Sequence, residues 1–167
     1  MRITTTERLT IDQARSIDAP FIYELMNSPG WIQFIGDRGI RSLEDAENYI
    51  QNSLINSYKK NGYGLYKMCL KETGTPIGLC GFLQRDYLDA PDIGFAILPN
   101  YEGRGLVFEA ASSMLEIARN NPKFEIIHAI TTLDNEKSQH LLMKLGLRKR
   151  KQIKQNGIEL LLFSNEI

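Results

Sequence analysis

Apolar and small residues fall at Val107, Ala110, Ala111, Met114, Leu115 and Ala118. That spacing (i, i+3, i+4, i+7, i+8, i+11) buries one face of a helix. Just upstream, Ile93-Gly94-Phe95-Ala96-Ile97-Leu98 is an unbroken apolar run of strand length that stops at Pro99. Residues 9–13 form a short strand. Asp18 opens a helix to about residue 27, with Pro20 in its first turn, and Pro29-Gly30 ends it. Ser42, with Asp45 three residues on, starts a second helix. Its apolar positions Leu43, Ala46, Ile50 and Leu54 keep helical spacing, and Asn61-Gly62 stops it. Strands at 64–70 and 77–84 are joined through Glu72-Thr73-Gly74-Thr75. After the long helix, Asn120-Asn121-Pro122 breaks the chain and 125–132 reads as a buried strand. A short helix over 135–145 ends at Gly146. Residues 148–154 and 158–164 close the chain as a hairpin around Asn156-Gly157.

This order predicts an α+β domain. Strand 92–98, the long helix and strand 125–132 make a crossover between parallel strands, expected to be right-handed. Ligands of such sheets sit at the carboxyl ends of the strands. Both the glycine-bearing loop Asn100-Tyr101-Glu102-Gly103-Arg104-Gly105 and Asn135 lie there.

Strand, glycine loop and helix N-terminus form an arrangement suited to phosphate. The first N–H groups of a helix have no partner inside it, and the aligned peptide dipoles put partial positive charge there. A nucleoside-triphosphate loop needs Gly-Lys-Ser/Thr, whereas this chain has Gly105-Leu106-Val107. A dinucleotide fingerprint needs a third glycine where Phe108 stands, and an acid at the end of the next strand, where 125–132 has none.

The segment instead resembles the acetyl-CoA loop of the GNAT superfamily of N-acyltransferases, V-x-P-x-x-Q/R-x-x-G-x-G/A. Ile97-Leu98-Pro99 matches V-x-P, followed by Glu102, Gly105 and Val107. Glu102 stands in place of Gln/Arg, and Val107 in place of a small residue. Two further blocks extend the resemblance over residues 5–152. Thr5-Thr6-Glu7-Arg8-Leu9 and Ser42-Leu43-Glu44-Asp45-Ala46 resemble the opening of the branch containing ribosomal-protein N-terminal (serine/alanine) acetyltransferases. Asn135-Glu136-Lys137-Ser138, then Lys144-Leu145-Gly146-Leu147, resembles its "N-x-x-S…K-L-G-F". The resemblance implies one domain over 1–167. Its fold would be a mixed, mostly antiparallel, twisted sheet of about six or seven strands flanked by about four helices (α/β/α).

Composition narrows the class without choosing it. The chain of 167 residues is long enough to bury a core. Twenty basic and twenty acidic side chains cancel, which argues against a dedicated nucleic-acid binder. No apolar run reaches membrane-spanning length, and Met1–Thr10 lacks a secretory apolar core, so a cytoplasmic location is expected. Cys69 and Cys80 read as buried, reduced thiols, and no metal site is expected.

What the resemblance implies for chemistry is acetyl transfer from acetyl-CoA, a co-substrate, to an amine acceptor: a peptide N-terminus or a small molecule. The pantetheine arm would lie on Phe95, Ile97 and Leu98. Backbone N–H groups from Gly103 through Arg104, Gly105 and Leu106 to Val107 would hold the pyrophosphate, with Arg104 as a compensating charge. Asn135 would contact the coenzyme arm. Asp92, opening the coenzyme strand, is the first candidate base, with Asp37 and Glu44 as alternatives. The family's tyrosine acid is missing, since Leu141 and Leu142 stand there, and Ser138 is its suggested substitute. His128 and His140 read as structural or surface residues, and Arg148-Lys149-Arg150-Lys151 as an exposed edge. The protein would work as one chain or as a homodimer. A non-catalytic acyl-CoA-binding module is the rival reading.

Overall fold

The computed structural model describes residues 1–166. Eight strands form one sheet: β1 (Arg2–Thr5), β2 (Leu9–Asp12), β3 (Leu65–Leu70), β4 (Pro76–Leu83), β5 (Asp92–Ile97), β6 (His128–Thr132), β7 (Arg148–Gln155) and β8 (Ile158–Ser164). Their spatial order is β1-β2-β3-β4-β5-β6-β8-β7, antiparallel throughout except for β5 and β6. The mixed, mostly antiparallel sheet is thus as expected, with one strand more. The addition is β1, whose β-branched Ile3, Thr4 and Thr5 favour a strand but make a run too short to stand out. It is held by pairing with β2 through Arg2↔Asp12 and Thr5↔Thr10.

Helices cover both faces. On one, α5 (Leu106–Ala118) buries Leu106, Ala110, Ala111, Met114 and Ala118. They meet Ile11, Met68, Ile93, Ala129 and Phe163 from the sheet, and Leu142 from α6 (Glu136–Lys144) joins the same core. The stripe follows the predicted spacing, with Leu106 added at its start, and Val107 and Leu115 pack partly buried along its rim. Each fully buried Leu or Met contributes about 1.5–3 kcal/mol relative to exposure.

The other face carries α1 (Ala19–Met26), α2 (Pro29–Phe34), and a continuous helical run made of α3 (Leu43–Tyr49), a π-helical segment (Ile50–Ile55) and α4 (Asn56–Asn61). Phe21, Ile22, Leu25, Trp31, Ile50 and Leu54 pack there on Leu79 and Leu98. The six residues of α2 correct the expectation that Pro29-Gly30 simply ends a helix: Pro29 is the first residue of a new one, where a missing N–H is harmless.

Local signals explain most boundaries. Ser42 Oγ accepts the Asp45 N–H at 3.0 Å, while Asp45 reaches back to the Arg41 N–H at 2.9 Å. Asp18 does not cap α1 with its side chain. Its carboxylate instead accepts from the Arg15 N–H at 2.8 Å and from Lys67 Nζ at 2.8 Å. Asn156 and Gly157 both take positive φ, the two-residue turn their sequence predicts.

Candidate functional site

The parallel pairing of β5 with β6 is confined to Asp92↔His128, where the His128 N–H donates to the Pro91 carbonyl at 2.9 Å. Above that point the two strands part. On its other edge β5 stays paired with β4 along its whole length, and the Leu98 N–H still reaches the Ile77 carbonyl at 2.8 Å. Backbone groups of a strand alternate in direction. Residues 92, 94, 96 and 98 therefore spend their backbone groups on β4, and those of Phe95 and Ile97 face the gap. An extended ligand with amide groups fits such an edge, because it completes the ladder that β6 leaves unfinished.

The glycine loop closes the top of the gap. Gly103 and Gly105 take φ values of +75° and +74°. Gly105 is the N-cap of α5, without a side-chain cap, and its carbonyl accepts the first helical bond from the Glu109 N–H at 3.1 Å. The N–H groups of Leu106, Val107 and Phe108 thus precede the helical ladder and have no acceptor within it. Three donors at the positive end of a 13-residue helix suit an anion.

Val107 and Glu102, the two residues that depart from the loop pattern given above, both have neighbours in the fold. Val107 packs against the main core rather than standing free in the loop. The Glu102 carboxylate lies 3.9 Å from Lys137 Nζ on α6, a cation that offsets its charge. Arg104 turns onto its own loop, donating to the Asn100 carbonyl at 3.1 Å and lying over the Tyr101 ring at 5.5 Å. Asn135 Oδ1 caps α6 by accepting the Ser138 N–H at 3.2 Å, which leaves its amide nitrogen as a donor at the carboxyl end of β6.

The two candidate catalytic residues are not brought together. Ser138 follows the carboxyl end of β6, whereas Asp92 is level with its first residue. Four residue steps of strand separate those levels, roughly 13 Å. Asp92 is also closed off: it is 1% exposed, and Arg85 Nε donates to both its oxygens at 3.1 and 3.0 Å. Burial pushes its carboxyl up to about 6, against the pull of Arg85. A general base must reach its proton directly or through one water. The expectation that Asp92 presents itself to an acceptor is therefore corrected: the same apolar packing that buries β5 encloses its first side chain.

Asp37 is exposed and ion-paired with Arg41, whose hydrogen bond, with one from the Gly39 N–H, holds its carboxyl below the usual range. Glu44 lies exposed in the first turn of α3.

Cys69 and Cys80 are free and buried, and burial pushes the Cys80 thiol up to about 12. They face Pro76 and Tyr66 respectively across the β3–β4 ladder, too far apart in register for a disulfide. His128 is buried with Nε2 2.7 Å from Asp89, and His140 is exposed. Among the described residues no three His, Cys, Asp or Glu side chains are grouped for a metal ion. None of the described helices is long and apolar enough to cross a membrane.

Sequence reasoning missed the support behind the loop. Thr6 Oγ1, the Arg8 N–H and Arg8 Nε all donate to Glu109 in the first turn of α5, the last two at 2.9 and 2.7 Å. The signal was present in the Thr6-Glu7-Arg8-Leu9 block and in an acid near a helix N-terminus, but nothing in sequence joins positions so far apart. A groove of about 650 Å³ opens beside the same loop on the β4 side, among Phe21, Glu24, Pro29, Leu98 and Tyr101. Neither Phe95, Ile97 nor any residue of β6 lines it.

Residues 8–148 match the family model described as the acetyltransferase (GNAT) domain. An uncharacterized N-acetyltransferase, YoaA, of Bacillus subtilis (strain 168) is 27% identical over 161 residues, covering 93% of this chain and 90% of its own. Two solved structures share the fold. One is RimL, the ribosomal L7/L12 alpha-N-protein acetyltransferase, in complex with coenzyme A: TM-score 0.84, 16% identity, 98% of this chain and 97% of that one. The other is the microcin C7 self-immunity acetyltransferase MccE with acetyl-CoA and AMP: TM-score 0.81, 17% identity, 96% and 93% covered.

Proposed function

This chain belongs to the GNAT acetyltransferase family, and on that footing we propose that it transfers the acetyl group of acetyl-CoA to a primary amine by direct attack, with both substrates bound. The observation that carries the reading is the parting of β5 and β6 above Asp92–His128, capped by the uncapped N-terminus of α5. Phe95 and Ile97 offer backbone groups to the pantetheine arm, and the same strand has an N–H for the oxyanion that develops on the attacked carbonyl. The amides from Gly103 to Val107 take the pyrophosphate, and Asn135 adds a side-chain donor at the opposite wall.

The acceptor is a protein N-terminal α-amine or a small amine, and the enzyme acts as a single cytoplasmic domain. An α-amine has a pKa near ~8, so a useful fraction is neutral without a strong base. This suits a site in which Asp92 is enclosed. The proton lost by the attacking amine passes to water. Ser138, half-buried in the first turn of α6, is the proposed relay that hands a proton from water to the departing thiolate. Because a thiol's ordinary pKa is about 8.5, that help is modest.

The enclosed Asp92 and the absent tyrosine also favour a second reading, a non-catalytic acyl-CoA-binding module. A screen of peptide N-termini and small amines for release of free thiol from acetyl-CoA separates the two. Amine-dependent release, slowed several-fold by Ser138→Ala, supports the enzyme. Tight acetyl-CoA binding with no release by any amine supports the module.

A further inference from the structure

Arg8 sits behind the phosphate-type loop and touches both sides of Gly105. Its Nη1 donates to the Arg104 carbonyl at 2.9 Å, and its Nε to Glu109 at 2.7 Å. Its Nη2 lies 3.6 Å from the point where a β-carbon on Gly105 would stand. In a trans peptide the C=O and the next N–H point in opposite directions. By holding the Arg104 carbonyl, Arg8 therefore aims the Gly105 N–H away from itself, and it prevents that peptide from flipping. Glu109 is fastened as well. Burial alone would raise its carboxyl, but hydrogen bonds from Thr6 and Arg8 override this and keep it below the usual carboxylate range. Left unpaired, a carboxylate in the first turn of α5 would repel an anion bound at that turn; paired with the guanidinium, it does not.

Resting on the coenzyme reading above, we propose that Arg8 is a positioning residue for the acetyl-CoA pyrophosphate. Through the Arg104–Gly105 peptide and Glu109 it fixes the loop amides, and so sets affinity for the nucleotide half of the coenzyme rather than the rate of acyl transfer. Thr6 and Glu109 complete the clamp. The N-terminal Thr6-Glu7-Arg8-Leu9 block, remote in sequence from the loop, thereby acts in donor binding.

The test compares two donors, acetyl-CoA and S-acetylpantetheine, which lacks the pyrophosphate and nucleotide. Arg8→Ala should raise the KM for acetyl-CoA about tenfold, the loss expected for charge-assisted contacts worth about 1.4 kcal/mol, with kcat little changed. The same variant should leave kcat/KM for S-acetylpantetheine as in the wild type. Arg8→Lys, which keeps charge but loses the planar fork, should fall between. Thermal unfolding of both variants monitors the fold, and if Arg8→Ala does not fold, Arg8→Lys carries the comparison. Equal losses with both donors would show a merely structural residue and overturn the proposal, as would an unchanged KM for acetyl-CoA. A wild-type protein that does not bind acetyl-CoA by calorimetry would overturn the coenzyme reading and this proposal together. Wild-type binding with an indifferent Arg8→Ala overturns this proposal alone.

Discussion

Gly105→Val probes the loop at the position where backbone shape and ligand binding meet. Gly105 has φ +74° and is the N-cap of α5. A β-carbon there would find its nearest neighbour, Arg8 Nη2, at 3.6 Å, an ordinary contact. The cost is therefore set by the backbone: a residue with a β-carbon in the left-handed region loses about 1–2 kcal/mol, and a branched one more. The variant has two ways out. It can keep the loop and lose roughly 2 kcal/mol of stability, or it can relax φ and misdirect the amides of Leu106, Val107 and Phe108. Misdirected donors forfeit about 1–3 kcal/mol of binding, roughly 5- to 150-fold in affinity. Gly62→Ala is the control. Gly62 has φ +81° at the C-cap of α4, and its β-carbon would meet only Lys123 Nζ at 3.7 Å. It should lose about 1 kcal/mol of stability, with no change in coenzyme affinity. Denaturant unfolding reads the first quantity and calorimetric titration with acetyl-CoA the second. A folded Gly105→Val protein with unchanged affinity would refute the assignment of the pyrophosphate to this loop.

Three further outcomes are expected. The Asp92 carboxyl should titrate near 6 by carbon NMR, because burial outweighs its pairing with Arg85; a midpoint below 4 would contradict this. Since that value lies above the ordinary 3.8, the group's contribution to stability is present below 3.8 and lost as pH rises through about 6, and Asp92→Asn should remove that part of the slope. Cys69→Ala and Cys80→Ala should retain turnover, because both thiols are buried and burial raises both. A stable acetyl-cysteine, formed with acetyl-CoA alone and discharged by amine, would overturn direct transfer. The amine-dependent rate should climb toward the acceptor's own pKa, since the neutral amine attacks, and a rate indifferent to pH across that range would contradict it.

The strand–helix core was legible because its signals are local. The β5 run, the α5 stripe, and Asn156-Gly157 each act within a few residues, and each appears in the fold at its expected place. The continuous helix from Leu43 to Asn61 was expected as well, though not the π-helical stretch at Ile50–Ile55, which changes the hydrogen-bond period without changing composition. β1 and α2 were missed because they are only four and six residues long, and pairing and packing are needed to sustain elements so short. At the site, the glycine loop was legible as strand, turn and helix start. The parting of β5 from β6 was not, because it depends on where a ladder stops. Nor was the enclosure of Asp92, since an acid at a strand start is ordinarily solvated, and only the fold brings Arg85 onto it.

The proposed site puts acetyl-CoA along the open edge of β5, with its pyrophosphate on the first turn of α5. Amide hydrogen exchange with and without acetyl-CoA tests it most directly. Bound in this way, the coenzyme should bring new protection to Phe95, Ile97 and Gly105 to Phe108 and leave the β4-paired amides of β5 unchanged. Protection confined to the groove lined by Phe21, Glu24 and Tyr101, with Phe95, Ile97 and the first turn of α5 exchanging as before, would contradict it.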